Sequence, residues 1–312
     1  MIIEKSERII EEISKVLVGK DDVIAKVLMC VYANGHILLE DMPGVGKTTL
    51  ALALSKVLGL DYKRIQFTPD TMPSDIVGFS MYDNKTNDLT YKPGAANCNL
   101  LLGDEINRTS PKTQSALLEV MEEGSATVDG ITHLLPKPFI CLATQNPVGY
   151  AGTHPLPESQ LDRFMVCLSI GYPSSEDQLQ IVKDRNSVNP LDTIKSVVTK
   201  DDIREIQNYL SSIKISDDNL KYIIDLCEKT RNHELVELGV SPRGVIALSN
   251  MVKARAILNE RTYVIPEDIQ ALFGDVCAHR LVLNSQAKIE NISAKDILNG
   301  LLQEVKPPKL GK

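Results

Sequence analysis

Ile37-Leu38-Leu39-Glu40-Asp41-Met42-Pro43-Gly44-Val45-Gly46-Lys47-Thr48-Thr49 is the stretch on which the reading of this chain turns. An apolar strand runs into a glycine turn, and an amphipathic pattern of helical period follows to about Leu58. Glycines let backbone N–H groups turn inward around a polyphosphate, and a helix N-terminus adds a favourable dipole. Lys47 is placed to reach the β- and γ-phosphates, and the Thr48 hydroxyl to ligate Mg²⁺. Pro43, Gly44, Val45, Gly46, Lys47, Thr48 and Thr49 are therefore the candidate phosphate-binding residues. The strict motif has glycine where this chain has Asp41, so a turn that carries Gly-Lys-Thr by chance is the competing reading.

Two downstream segments weigh against chance. Asn99-Leu100-Leu101-Leu102-Gly103-Asp104-Glu105 is a buried-type strand that ends in two carboxylates. A strand tip beside a phosphate loop is where a metal-linked Asp belongs. Asp104 is thus a candidate Mg²⁺ ligand through water, and Glu105 a general base that polarises the attacking water. Taken alone, an Asp-Glu pair is more often a solvated loop start. Phe139-Ile140-Cys141-Leu142-Ala143-Thr144-Gln145-Asn146-Pro147 is another apolar strand with a polar tip. Asn146 can donate and accept at once, which suits contact with a γ-phosphate or a water. An Asn before Pro is also ordinary turn chemistry.

These segments, with Leu102-Gly103-Asp104-Glu105-Ile106-Asn107-Arg108, Leu156-Pro157-Glu158-Ser159-Gln160-Leu161-Asp162-Arg163-Phe164 and Ser241-Pro242-Arg243-Gly244, stand in the order seen in MoxR-type AAA+ ATPases. Gly35-His36, Gln66-Phe67-Thr68-Pro69-Asp70 and Tyr263-Val264-Ile265-Pro266-Glu267-Asp268 resemble that family too, so the likeness runs from about Val18 to about Leu283. The resemblance implies ATP and Mg²⁺ as cofactors and hydrolysis by a homo-oligomeric, hexameric ring. It also implies chaperone-like remodelling of client proteins, or metal or cofactor insertion into them. Partners with a von Willebrand factor A domain are common in the family.

The pattern of elements agrees. Candidate strands at 36–40, 63–67, 99–103, 139–144 and 166–170 are separated by helical patterns, which favours an α/β fold with a parallel five-stranded sheet. Ser110-Pro111 opens a helix, Leu117, Leu118 and Met121 line one face, and Gly124 closes it. Thr127-Val128-Asp129-Gly130-Ile131-Thr132 carries the Asp-Gly signal of a hairpin. The segment 75–97 falls where the resembled branch inserts an extra element, and both it and the hairpin are candidates for client contact. After Gly171-Tyr172-Pro173 the periodicity becomes helical throughout. The expected domains are therefore 1–172, a nucleotide-binding α/β domain with an N-terminal helix, and 173–312, an all-helical lid. The tail 306–312 reads as frayed.

Composition sets limits. With 312 residues, 43% of them hydrophobic, the chain can bury a substantial core. No apolar run approaches the roughly 18 residues that cross a bilayer, and Val23 to Ala33, broken by Lys26, reads as a core helix. The start lacks a secretion signal, and the six cysteines show no metal-ligand or Cys-x-x-Cys spacing. Buried thiols in a reducing cytoplasm are the expectation. A formal charge of -7 disfavours nucleic acid as a partner. His233-Glu234-Leu235-Val236-Glu237 lacks the second His of a zinc site and reads as an exposed helix end.

Two arginines complete the candidate catalytic set of Glu105, Asn146, Arg163 and Arg243. Arg243 follows Ser241-Pro242, so it begins a helix, where a guanidinium can touch the γ-phosphate of its own or a neighbouring subunit. For Arg163 the resemblance implies an arginine finger that reaches across a subunit boundary. Two other functions stay open at this level: a nucleotide-gated binding module with slow turnover, and a DNA-remodelling motor.

Overall fold

Side chains along β1 (Ile37–Glu40) alternate: Ile37 and Leu39 turn to one layer, Leu38 to the other. The computed structural model describes residues 2–85, 87–146, 155–184 and 189–309. After β1 come β2 (Tyr62–Gln66), a hairpin of β3 (Phe79–Asp83) and β4 (Asp88–Lys92), and β5 (Leu100–Asp104). A second hairpin, β6 (Ser125–Val128) and β7 (Ile131–Leu134), precedes β8 (Ile140–Gln145) and β9 (Val166–Leu168). Five of these form one parallel sheet in the order β2-β5-β8-β1-β9. They are the five strands expected, with ends moved by one or two residues.

The sheet is covered on both faces, as a parallel sheet requires. Ile37, Leu39, Leu100, Leu102, Ile140, Leu142 and Val166 face α1 (Ile2–Ser14), α2 (Asp21–Tyr32) and α3 (Lys47–Val57). Leu38, Leu101, Cys141 and Ala143 face α4 (Pro73–Val77) and α5 (Pro111–Glu123). Helix α5 begins at an N-cap Ser110, which accepts the Thr113 N–H at 3.3 Å, and stops at Gly124 in left-handed backbone. The β6–β7 turn has positive φ at both Asp129 and Gly130, the geometry that lets a two-residue turn follow the twist of its strands.

Beyond residue 155 the described chain is mostly helical: α6 (Glu158–Leu161), α7 (Ser175–Asp184), α8 (Pro190–Thr193), α9 (Lys200–Tyr209), α10 (Asp217–Arg231), α11 (Pro242–Leu258), α12 (Pro266–Cys277), α13 (Ser285–Ile289) and α14 (Ala294–Glu304). Their core is continuous with the α1–α3 layer, since Ile203, Leu226, Leu248, Phe273 and Leu298 belong to the same buried cluster as Ile9 and Leu28. Lys26, the charge that interrupts the apolar run of α2, pairs with Asp275 of α12 at 2.8 Å, and Gln207 donates to the Val31 carbonyl at 2.8 Å.

One expectation needs correction. The lid is not all-helical: β10 (Val236–Leu238) and β11 (Val282–Leu283) pair antiparallel. Residues 233–237 are therefore no exposed helix end, because α10 stops at Arg231, Leu235 is buried and Val236 enters the strand. The reversal follows from local bonds. The Arg231 guanidinium donates to the Val240 carbonyl at 2.8 Å, and the Val240 N–H to the Thr230 hydroxyl at 3.0 Å. Gly239 packs so close that an added Cβ would lie 2.6 Å from the Arg231 nitrogen. The cysteines are free, and all but the half-buried Cys167 are buried.

Candidate nucleotide site

The loop after β1 is shaped by its two glycines, with φ of 89° at Gly44 and 105° at Gly46. Only glycine takes this backbone freely, and it turns the loop's N–H groups inward. Helix α3 then starts at Lys47 with no side-chain cap, so the N–H groups of its first turn have no side-chain acceptor. Thr48 and Thr49 lie on that turn.

Lys47 is buried, and its ammonium donates to the Asp41 carbonyl at 2.7 Å and the Asn146 side-chain oxygen at 3.4 Å. No carboxylate among the described residues pairs with it directly. Burial lowers its pKa, while the more distant charges of Asp41, Asp104 and Glu105 oppose that shift. A buried cation hydrogen-bonded only to neutral oxygens, beside an uncapped helix start, fits a polyphosphate.

The ends of β2, β5 and β8 supply the rest, because these strands are parallel and neighbouring. The Thr144 hydroxyl donates to Asp104 Oδ1 at 2.7 Å and accepts the Glu105 N–H at 2.9 Å, so one side chain holds the Asp104 carboxylate and the Glu105 backbone. Glu105 holds left-handed backbone with φ of 58°, uncommon for a non-glycine residue and concentrated at functional sites. Its Oε1 accepts from Asn146 at 3.1 Å, and its Oε2 from Gln66 at 3.0 Å and Arg108 at 2.7 Å. Arg64 reaches Asp104 Oδ2 at 2.7 Å, and Asn107 donates to the Asn146 carbonyl at 3.1 Å. Lys47, Asp104, Glu105 and Asn146 thus meet at one point. Pro147, quoted with Asn146 above, lies outside the described residues.

Thr144, Gln66, Arg108 and Asn107 lie inside the motifs quoted above but were given no role, and Arg64 was not singled out. The usable signal was positional: Gln66 pairs in register with Asp104, and Arg64 is two residues back on the same face.

Arg163 and Arg243 are elsewhere. Met165, just after Arg163, donates its N–H to the His36 carbonyl at 2.8 Å, at the entrance of β1. The phosphate loop leaves the other end of that strand. Five residues at about 3.3 Å each put roughly 16 Å between the two edges. At the entrance edge Arg163 pairs with Glu122 at 3.1 Å, and Arg243 pairs with the same carboxylate. Both line a cleft of about 710 Å³ that Lys137, Arg204 and Arg280 also border. His36 closes this edge: its Nδ1 accepts the Cys141 N–H at 3.0 Å and its Nε2 bonds the Met121 carbonyl at 3.0 Å.

Comparison with known proteins agrees with this geometry. Residues 36–166 match the ATPase family associated with various cellular activities (AAA), and residues 228–301 match the AAA lid domain. The chain is 36% identical over 313 residues to the chaperone MoxR1 of Mycobacterium tuberculosis, covering 97% of this chain and 82% of that one. It is a AAA+ ATPase, related to the MoxR proteins. The uncharacterised protein YeaC of Bacillus subtilis is 50% identical over 299 residues, covering 96% of this chain and 93% of that one. A crystallised protein from Cytophaga hutchinsonii, assigned as an ATPase, superposes with a TM-score of 0.92 at 39% identity, over 99% of this chain and 96% of that one. Among the described residues, no helix of this AAA+ protein is long and apolar enough to cross a membrane, and no cluster of His, Cys, Asp and Glu is arranged to hold a metal alone.

Proposed function

We propose that this AAA+ ATPase is a MoxR-type ring machine that hydrolyses Mg-ATP between neighbouring subunits to remodel protein clients. In this reading Pro43 to Thr49 hold the triphosphate, Lys47 contacts the β- and γ-phosphates, and Glu105 activates water while Asn146 senses the γ-phosphate. Thr48 would give Mg²⁺ a hydroxyl oxygen and Asp104 would hold it through water, since this ion takes few protein ligands and fills its shell from phosphate and water. When bound, the ion offsets charge on the transferred phosphoryl group.

The observation that carries the ring is the split of the machinery between two edges of one sheet. Lys47, Asp104, Glu105 and Asn146 gather at the exit of the strands. Arg163 and Arg243 gather at the entrance, held on Glu122. Neither arginine reaches its own loop, so in this reading a second copy brings them to it, and head-to-tail contacts whose rotation closes form a ring.

Client remodelling draws support from the name of the relative MoxR1 and from the two hairpins. Phe79, Met81, Tyr82 and Leu89 on β3–β4, and Ile131 and Leu134 on β6–β7, are large apolar side chains left in water. Tyr91 stacks on His133 with centroids 3.7 Å apart, tying the hairpins into one unit. The test is the rate of phosphate release per subunit as protein concentration rises. It should climb as rings assemble, and a rate already maximal in a dilute, monomeric sample would refute the ring reading.

A further inference from the structure

Asp41, the departure from the strict glycine motif, has a place that the ATP site does not by itself require. Its side chain is buried, 6% exposed, and turned away from the loop. The carboxylate accepts three hydrogen bonds from one short segment: Ser169 Oγ at 2.7 Å, the Ile170 N–H at 2.5 Å and the Gly171 N–H at 3.1 Å. That segment leads out of β9 toward the helical lid. Gly171 has φ of 65°, so the chain turns there in backbone that favours glycine. The Asp41 backbone faces the other way, and its carbonyl is the 2.7 Å partner of the Lys47 ammonium.

We propose that Asp41 is a positioning residue that couples Lys47's engagement of phosphate to the setting of residues 169–171, and through them to the lid. The idea rests on the ATP-site reading above. When a triphosphate draws the Lys47 ammonium away, the Asp41 peptide loses its partner and the loop entrance resettles. A carboxylate held by three donors is rigid, so it carries that shift to residues 169–171. A glycine here would bind phosphate and leave the lid exit unattached. Charge-assisted bonds to backbone N–H are stronger than neutral ones, which suits a group that must pull without slipping.

The chain contains no tryptophan, and Tyr172, beside the hinge, is 72% exposed. Tyr172→Trp therefore places a single indole reporter there. With a non-hydrolysable ATP analogue and Mg²⁺, this protein should show an emission change, with binding measured separately by calorimetry. Asp41→Ala in that background should bind the analogue within about tenfold of the parent, yet lose most of the emission change. In the untagged protein it should lower kcat more than it raises the KM for ATP. Asp41→Asn keeps an acceptor, and Ser169→Ala keeps the carboxylate and two of its donors, so both should respond partially. They also carry the test if Asp41→Ala does not fold. A full emission change in Asp41→Ala, or in both partial variants alike, would overturn the proposal. So would loss of analogue binding in a folded Asp41→Ala protein, which would confine Asp41 to the loop. If the parent binds the analogue with no emission change, the coupling is wrong. If the parent fails to bind it, the ATP-site reading fails instead.

Discussion

Arg163→Ala and Glu105→Gln should each abolish turnover alone and restore part of it when mixed. The expectation is geometric. Arg163 lies at the entrance edge of the sheet, where Met165 bonds His36, and Glu105 lies at the exit edge beside Lys47 and Asn146. About 16 Å of strand separates the edges, beyond the span of one arginine side chain. An arginine supplied in trans is worth roughly 10³–10⁵ in rate, and a general base roughly 10²–10⁴, so either single variant should sit near background. In an equimolar mixture assembled at random, about a quarter of directed interfaces pair an intact Glu105 with an intact Arg163 from the next copy. Phosphate release should therefore return to about that fraction of the parent rate if sites fire independently. The assay is a coupled phosphate readout, with mixed assembly verified by two affinity tags purified in sequence. No recovery in verified mixed rings would refute the trans reading of Arg163. Near-parental turnover by Arg163→Ala alone would remove it from the mechanism.

Glu105→Gln should still bind Mg-ATP, since it keeps shape while removing the charge that polarises water and one acceptor oxygen, whereas Lys47→Ala should weaken nucleotide binding itself; calorimetry with ATP separates them, and tight binding by Lys47→Ala would undercut the phosphate-loop assignment. Thr144→Val keeps volume but removes the donor to the buried Asp104 Oδ1 and the acceptor of the Glu105 N–H, so it should cost about 1–3 kcal/mol in denaturant unfolding and lower kcat, and an unchanged unfolding midpoint would contradict the bridging role. Burial holds His36 neutral, its pKa pushed down from 6.5 to about 4. The unfolded chain therefore takes up the proton first as pH falls, so the stability His36 contributes is full above about pH 6.5 and is lost progressively toward pH 4. Between pH 7 and pH 5 the loss from this residue is about 2 kcal/mol, and half-buried His279, also lowered, adds in the same direction; a stability flat across that range would refute the neutral assignment.

The strands and the phosphate loop were legible because their signals are local. Each strand is an apolar run with a polar tip, and Gly44-Val45-Gly46-Lys47 states its own backbone geometry. The helix from Ser110 to Gly124 was legible for the same reason, since cap and stop sit in adjacent residues. What escaped was relational. Nothing in the string Arg64-Ile65-Gln66 says that its two polar ends will meet Asp104 and Glu105, because that depends on β2 pairing in register with β5. Thr144 looked like one polar residue at a strand end, and only the adjacency of β5 and β8 makes it a bridge. The β10–β11 pair was missed because two- and three-residue strands carry no periodicity, and their pairing joins positions more than forty residues apart.

Glu122 is the most consequential of these relational residues. In sequence it is one acid near the end of an amphipathic helix, with nothing to distinguish it from Glu119 or Glu123. In space it is the single carboxylate on which Arg163 and Arg243 converge, one from the segment before β9 and one from the first turn of α11. Such partly exposed pairs contribute little to stability, roughly 0–1 kcal/mol each, so the arrangement is poorly explained as a device for holding the fold together. Its physical effect is to gather two half-exposed cations at one place. In the proposed ring, a neighbour's γ-phosphate, with greater negative charge than a carboxylate, would compete for both. The same carboxylate that orders the arginines in the free subunit is therefore weak enough to release them. In the proposed ring, that transfer would link the α/β layer, through Arg163, and the lid, through Arg243, to one event at the next subunit's site.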